Sequence, residues 1–454
     1  YIWMLLMLFG WLLIGCGDVE MEVPSNFTID GSVATWDKVN DKVSYRLELV
    51  NVDTEVISRR IVDTNTVDLN TLNLPEGDYM IKVQTLYKGQ ESEFAESLSY
   101  YQEDLYAVSE ISESNLIDGV YIKWMGRTHY NATTKVNMIY HSASGFEVKF
   151  KGTSLTASLI ATHTNSSGHE PYVYVIIDDD FENAVRTPIT QPSLDFVLAE
   201  DLEYGEHKVT LYKSTESIDS HLGLKKIITD GKFLAEVTYK DRKIEVIAAS
   251  SSTGYGNLGS SSQAKTTANS DAMQAYAFLT AQALNAEISI ISASGWGCKF
   301  SRWTSPMDKN MFDAYKKIDF SSDIDWYPTS DHPDVVIMNL GTNDNSYIKY
   351  ITNIQSERDA LMEEFIEYYV EFINYIHSIY PNAHIMILYG LMNEKDIFDA
   401  TLEIYERASA NIETISVFKQ TSDQAGSSSH PTAASHRTIA QNIVEEIKRL
   451  KGWD

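Results

Sequence analysis

The chain has 454 residues, 36 Lys plus Arg against 64 Asp plus Glu, and only two cysteines. A formal net charge of −28 excludes an extended nucleic-acid surface, because such a footprint is a basic patch that releases counterions. The 27 Tyr, 16 Phe and 8 Trp exclude disorder, two cysteines exclude a disulfide framework, and the length suits several domains at roughly 150 residues each.

In chain order, the first fifteen residues carry no charge. A bilayer span needs about 20 apolar residues, so this run fits the apolar centre of a signal peptide. It ends in Leu13-Ile14-Gly15-Cys16, which resembles the bacterial lipobox, where a small residue precedes a cysteine that is lipidated and becomes the new N-terminus. The resemblance implies an exported lipoprotein, anchored through Cys16 at the periplasmic face or cell surface. Acyl chains would hold it at about 0.8 kcal/mol per buried CH₂. Residues 1–15 are read as the signal peptide and 16–23, a short stretch with three acids and no basic residue, as a tether.

From 24 to 101, Val33–Trp36, Tyr45–Val50 and Tyr79–Leu86 alternate with period two, the last after the turn-like Pro75-Glu76-Gly77-Asp78. An early strand Trp and a late strand opened by Tyr resemble a fibronectin type III sandwich, a module that mostly acts as a spacer. From 105 to 236 the chain stays strand-rich, with Phe146–Phe150, Tyr172–Ile177 and Leu202–Lys213. That pattern suits a β jelly roll, and it contains no phosphate loop and no metal-spaced His/Cys cluster.

From 240 to 454 the pattern changes to five short apolar strands separated by helical periods. The strands are Ile244–Ala249, Ile288–Ala293, Val335–Leu340, Ile385–Leu391 and Ile412–Phe418. One helical face carries Met273, Tyr276, Ala277, Thr280 and Leu284. A second carries Leu361, Phe365, Tyr369, Phe372 and Ile376 and stops before Pro381. A final helix is expected to open at Pro431. Alternating strands and helices predict a doubly wound parallel sheet, whose reactive groups sit beyond the strands' carboxyl ends.

Those ends deliver four residues. Ser250 follows the first strand, Gly295 the second and Asn343 the third, and His430 lies ahead of the closing helix. Acyl transfer requires a nucleophile, a base for its proton, and donors for the tetrahedral oxyanion. Ser250 and His430 fit the first two roles. The Ser250 and Gly295 N–H groups and the Asn343 amide fit the third. Imidazole is the apt base because its unperturbed pKa lies near neutrality.

Ser, Gly, Asn and His blocks in this order resemble the SGNH (GDSL-type) hydrolases. Within that group, residues 105–454 resemble carbohydrate esterase family 2. The supporting stretches are Gly205–Glu216, Thr253–Asn257, Leu340–Asp344 and His430-Pro431. The resemblance implies a jelly roll joined to an α/β SGNH domain with a five-stranded parallel sheet. It implies removal of acetyl groups from plant polysaccharides such as xylan or glucomannan, with no metal or organic cofactor.

Two departures stand out. The family's Gly-Asp-Ser reads Ala248-Ala249-Ser250 here, and the positions two and three before the His, where the wider group carries an acid, are Ser428 and Ser427. Some family members resemble a Ser–His dyad steadied by a backbone carbonyl; Asp423 is the nearest preceding acid. The departures keep two alternatives open: a degenerate carbohydrate-binding lipoprotein, and an SGNH lipase or lysophospholipase. Trp296, Trp303, Trp326 and Tyr327 are candidates for a sugar-stacking platform, and Cys298 is expected to be a small buried filler.

Overall fold

A computed structural model describes residues 21–75, 77–102, 108–117, 119–163, 168–235, 238–328, 332–393 and 395–454. The expected signal run, Cys16 and most of the tether lie outside the described residues. Toward the N-terminus, strands Thr28–Asp30, Val33–Thr35 and Thr66–Asp68 form one antiparallel sheet. Ser44–Asn51, Ile57–Val62, Gly77–Tyr87, Gln90–Glu91 and Leu98–Gln102 form a second. Ala34, Trp36 and Val67 meet Tyr45, Leu47, Ile81 and Val83 in the core between them. The predicted alternation of Tyr45–Val50 is only half of the story, because Arg46 and Glu48 on its other face are also buried. Ion pairs cover them: Arg46 with Glu91, and Glu48 with Arg59 and Lys82.

The middle region is a larger sandwich. One sheet runs, edge to edge, through Ile122–Met125, Ser144–Gly152, Gly205–Lys213, Tyr172–Ile177 and Val185–Pro188. The other runs through Thr128–Asn131, Val136–Ile139, Leu222–Thr229, Leu155–Ala161 and Ser193–Ala199. Phe146, Val148, Phe150 and Leu211 pack against Leu155, Leu159, Leu222 and Ile227 between them. The near-continuous apolar run at 172–177 has a physical cause. Val173 faces this core, whereas Ile176, with Tyr212, joins the core of the next domain.

That last domain holds five parallel strands, Arg242–Ala248, Ala286–Ser292, Val335–Asn339, His384–Tyr389 and Ile415–Lys419, in spatial order second, first, third, fourth, fifth. Such a sheet is covered on both faces, so its strands read as continuous apolar runs. Alternate residues divide two cores. Ile247, Ile291, Val336, Met338 and Ile387 face the helices Gln355–Ile379 and Asp396–Ser409. Ile244, Val246, Ile290, Ile337 and Leu388 face Tyr276–Ala283 and Ala433–Lys451.

Two expected boundaries are corrected. The fifth strand begins at Ile415, because Ile412 still caps the preceding helix through a bond to the Ala408 carbonyl. The last helix begins at Ala433, two residues after Pro431, because the Thr432 hydroxyl accepts the Ser435 N–H as its N-cap.

Candidate active site

The strand order reverses between the first and third strands, which places the crevice of the sheet at their carboxyl ends. Ser250 leaves the first strand on a single 3₁₀ turn, Ser250–Thr253. With alanine at 249, hydroxyl groups hold this turn. Ser251 Oγ donates to Asn339 Oδ1 at 3.0 Å, Ser252 Oγ reaches Ser292 Oγ at 2.6 Å, and Thr253 Oγ1 donates to the Ser250 carbonyl at 2.8 Å. Gly254 closes the turn at φ 71°, where a Cβ would lie 2.1 Å from the Asp271 carbonyl oxygen.

His430 Nε2 lies 2.7 Å from Ser250 Oγ. Its Nδ1 lies 3.1 Å from the Ser427 carbonyl oxygen and 3.2 Å from that of Ser428. Carbonyls only accept, so Nδ1 carries the proton and Nε2 is left to accept the serine's. Burial pulls the His430 pKa down to about 4, against those two carbonyls, which raise it. The neutral imidazole is therefore the form present near pH 7.

The turn that aims these carbonyls is itself unusual. Ser428 and Ser429 both sit in the left-handed region, at φ 53° and 61°, at a cost of about 1–2 kcal/mol each. Neighbouring backbone compensates. Ser427 N–H donates to the Gly256 carbonyl at 3.0 Å, and Gly426 N–H to that of His430 at 2.9 Å. Asp423 does not orient His430. Its carboxylate accepts the Thr432 N–H at 3.0 Å and also the Thr432 hydroxyl, so it fixes the entry to the last helix.

Gly295 adopts φ 82°, with a Cβ position 2.9 Å from Trp303 Cβ; glycine is required on both counts. Asn343 sits in the first turn of the helix Thr342–Ile351, and its Nδ2 donates to the Trp296 carbonyl at 2.8 Å. That bond ties the amide to the Gly295 loop. The adjacent Asp344 is fully buried and accepts the N–H groups of Cys298, Lys299 and Phe300, each at 2.8 Å. Burial raises its carboxyl to about 6 although those bonds pull the other way. Ser250, Gly295, Asn343 and His430 all line one cleft of about 600 Å³.

The expected aromatic platform divides. Trp303 lines the cleft and is 62% exposed, with the Arg302 guanidinium 4.3 Å from its ring centre. Trp296 turns inward to the core beside Phe320. Trp326 lies under Arg127 in a separate cavity at the opposite end of the sheet, and the Tyr327 Cβ packs near Gly89. Those three are not in the cleft. Cys298 is a buried thiol whose pKa burial pushes up, consistent with packing.

Sequence reasoning missed Tyr255, whose ring stacks on His430 at 4.2 Å and 25°, and the buried Glu216 and Lys265 behind it. Both Tyr255 and Glu216 fall inside the family-like stretches, which was their only sequence signal.

A serine hydrolase of the SGNH type is the class this sheet and Ser–His pair define. Residues 124–237 match the carbohydrate esterase 2 N-terminal family model. The chain is 30% identical over 323 residues to the cellulase/esterase CelE of Acetivibrio thermocellus, a match covering 69% of this chain but only 37% of that protein. It is 28% identical over 328 residues to an acetylxylan esterase/glucomannan deacetylase of Cellvibrio japonicus, covering 68% of this chain and 84% of that one. A family two carbohydrate esterase from Clostridium thermocellum, solved with cellohexaose, superposes with TM-score 0.63 at 26% identity, over 73% of this chain and all of its own. Residues 124–237 therefore carry the N-terminal domain of carbohydrate esterase family 2, and the chain as a whole is similar to esterases of that family.

Proposed function

We propose that the protein is a carbohydrate O-acetyl esterase that deacetylates plant-type polysaccharides such as xylan or glucomannan. The observation that carries this reading is the 2.7 Å contact between Ser250 Oγ and His430 Nε2, with backbone carbonyls at the other ring nitrogen. Such a pair is assembled for proton transfer. It supports catalysis over a binding-only role.

In this mechanism His430 takes the Ser250 proton as Oγ attacks the acetyl carbonyl carbon. The tetrahedral oxyanion is met by the Ser250 and Gly295 N–H groups and by the Asn343 N–H that Trp296 does not occupy. Losing one such donor typically costs about 2.7–4 kcal/mol of barrier. His430 then protonates the departing sugar oxygen, and afterwards activates a water to release acetate from acetyl-Ser250. Trp303 offers an exposed face on which a sugar ring could stack at the cleft. The relative solved with cellohexaose is consistent with a glucan- or xylan-type chain lying there.

The test is acetate release from acetylated xylan and glucomannan, with 4-nitrophenyl acetate as a simple substrate. Wild type should turn over all three, favour acetyl over octanoyl esters, and lose activity as Ser250→Ala. No wild-type turnover would overturn the reading. Trp303→Ala should raise KM for polysaccharide and leave 4-nitrophenyl acetate hydrolysis nearly unchanged.

The proposal extends to display at a membrane. The apolar run and Leu13–Cys16 support lipidation at Cys16, with the N-terminal sandwich, read as fibronectin type III-like, acting as a spacer. Metabolic labelling with a clickable fatty acid should mark wild type and not Cys16→Ser.

A further inference from the structure

The middle sandwich reaches the cleft through residues 214–221, which follow its strand Gly205–Lys213. Lys213 is fully buried, and its ammonium donates to the carbonyls of Tyr140, Thr215 and Glu216 at 2.9, 2.6 and 3.2 Å, curling the segment. The Ser217 hydroxyl bonds to Asp319 of the α/β domain, and Ile218 lines the cleft. At the centre of this segment is Glu216, 2% exposed.

Glu216 grips the residue before Gly295. Its Oε2 accepts the Ser294 N–H at 2.9 Å and its Oε1 accepts the Ser294 hydroxyl at 2.8 Å. Holding both atoms fixes the Ser294 backbone and χ1 together. The next peptide unit, which carries the Gly295 N–H, is thereby aimed. A buried carboxylate persists only where it is paired and hydrogen-bonded. Lys265 supplies the charge at 3.1 Å and also pairs with Asp219. The same ammonium stands 5.6 Å from the centre of the Tyr255 ring, whose plane stacks on His430. One lysine thus touches the supports of both the oxyanion donor and the base.

We propose that Glu216 is a positioning residue of the oxyanion hole, contributed by the middle sandwich and held in place by Lys265, so that sandwich and α/β domain form one catalytic unit. The inference rests on the acyl-transfer reading above.

The test uses the full chain, with kcat normalised to serine sites titrated by a fluorophosphonate and Ki measured for phenylboronic acid. The boronate forms a tetrahedral adduct on the serine hydroxyl and presents an oxygen to the donors. Glu216→Gln, which retains shape but loses charge, should lower kcat about tenfold with KM little changed, and Glu216→Ala about a hundredfold. Boronate Ki should rise in step with the fall in kcat/KM, while the acid limb of the pH profile stays in place. Lys265→Met strands the carboxylate, so Glu216→Gln combined with Lys265→Met should lose less than the product of the single losses. Wild-type kcat and Ki per titrated site in Glu216→Gln would overturn the inference. So would a loss confined to the number of titratable sites, which marks a folding role. Absence of wild-type turnover would instead fell the esterase reading and this inference with it.

Discussion

The turn that carries Ser250, the proposed nucleophile, and the turn that carries His430, the proposed base, each lack the acid expected of them, and they are held by opposite means. Around Ser250, side chains do the holding: the hydroxyls of Ser251, Ser252 and Thr253 bond to Asn339, Ser292 and the turn's own backbone. Around His430, the backbone does it, with two left-handed serines turning their neighbours' carbonyls toward Nδ1. A carboxylate can therefore be replaced either by neutral hydroxyls or by peptide dipoles. Only the second substitution leaves the base with no full counter-charge.

The most severe way to break this comparison is to remove its two ends. Ser250→Ala and His430→Ala should each lower kcat by about 10⁴-fold or more, read by 4-nitrophenyl acetate hydrolysis. The next largest effect should come from the backbone of the base turn. Ser428→Val places a β-branched residue at φ 53°, which it resists, and kcat should fall about a hundredfold. Ser428→Gly, free of a Cβ, should lose at least about tenfold less.

The missing counter-charge should appear in the pH profile. Protonated His430 cannot accept the Ser250 proton, so kcat/KM falls below its pKa and is flat above it. That limb should lie near pH 4, well under the ~6.5 of a free imidazole. A limb near 6.5 would mean that the ring is better solvated or charge-paired than its surroundings indicate. The smallest effect sharpens the contrast. Asp423→Ala should change kcat by no more than about twofold and cost about 1 kcal/mol of stability in thermal unfolding, because its bonds go to Thr432.

Much of this was legible in the sequence. The parallel sheet followed from apolar runs separated by helical periods, and the four strand-end residues followed from small-residue turns. These signals are local, and the catalytic geometry is built on local turns. What stayed hidden depends on pairing across the chain. Tyr255 meets His430 only after the last loop folds back over the first, and no periodicity records that contact. Trp296 and Trp303 are close in sequence, yet the positive φ at Gly295 and the loop after it send one ring inward and the other to solvent. Asp423 was the obvious acid by proximity; the chain direction after it hands the carboxylate to a helix cap instead. The burial of Arg46 and Glu48 was likewise hidden, because alternation cannot distinguish solvent from a cover of ion pairs.

A base whose pKa is held near 4 is a weaker base at neutrality, but it tolerates its own product. On the proposed reaction every turnover leaves an equivalent of acetic acid, and a densely acetylated glycan would acidify the fluid around the enzyme. An imidazole stabilised by a carboxylate would fill with protons as that happened and the reaction would stall. Peptide carbonyls do not stabilise the cation so strongly, and the stacked, buried ring stays free. On the proposed mechanism, the lost acid would show itself as activity that holds while the product acidifies the medium.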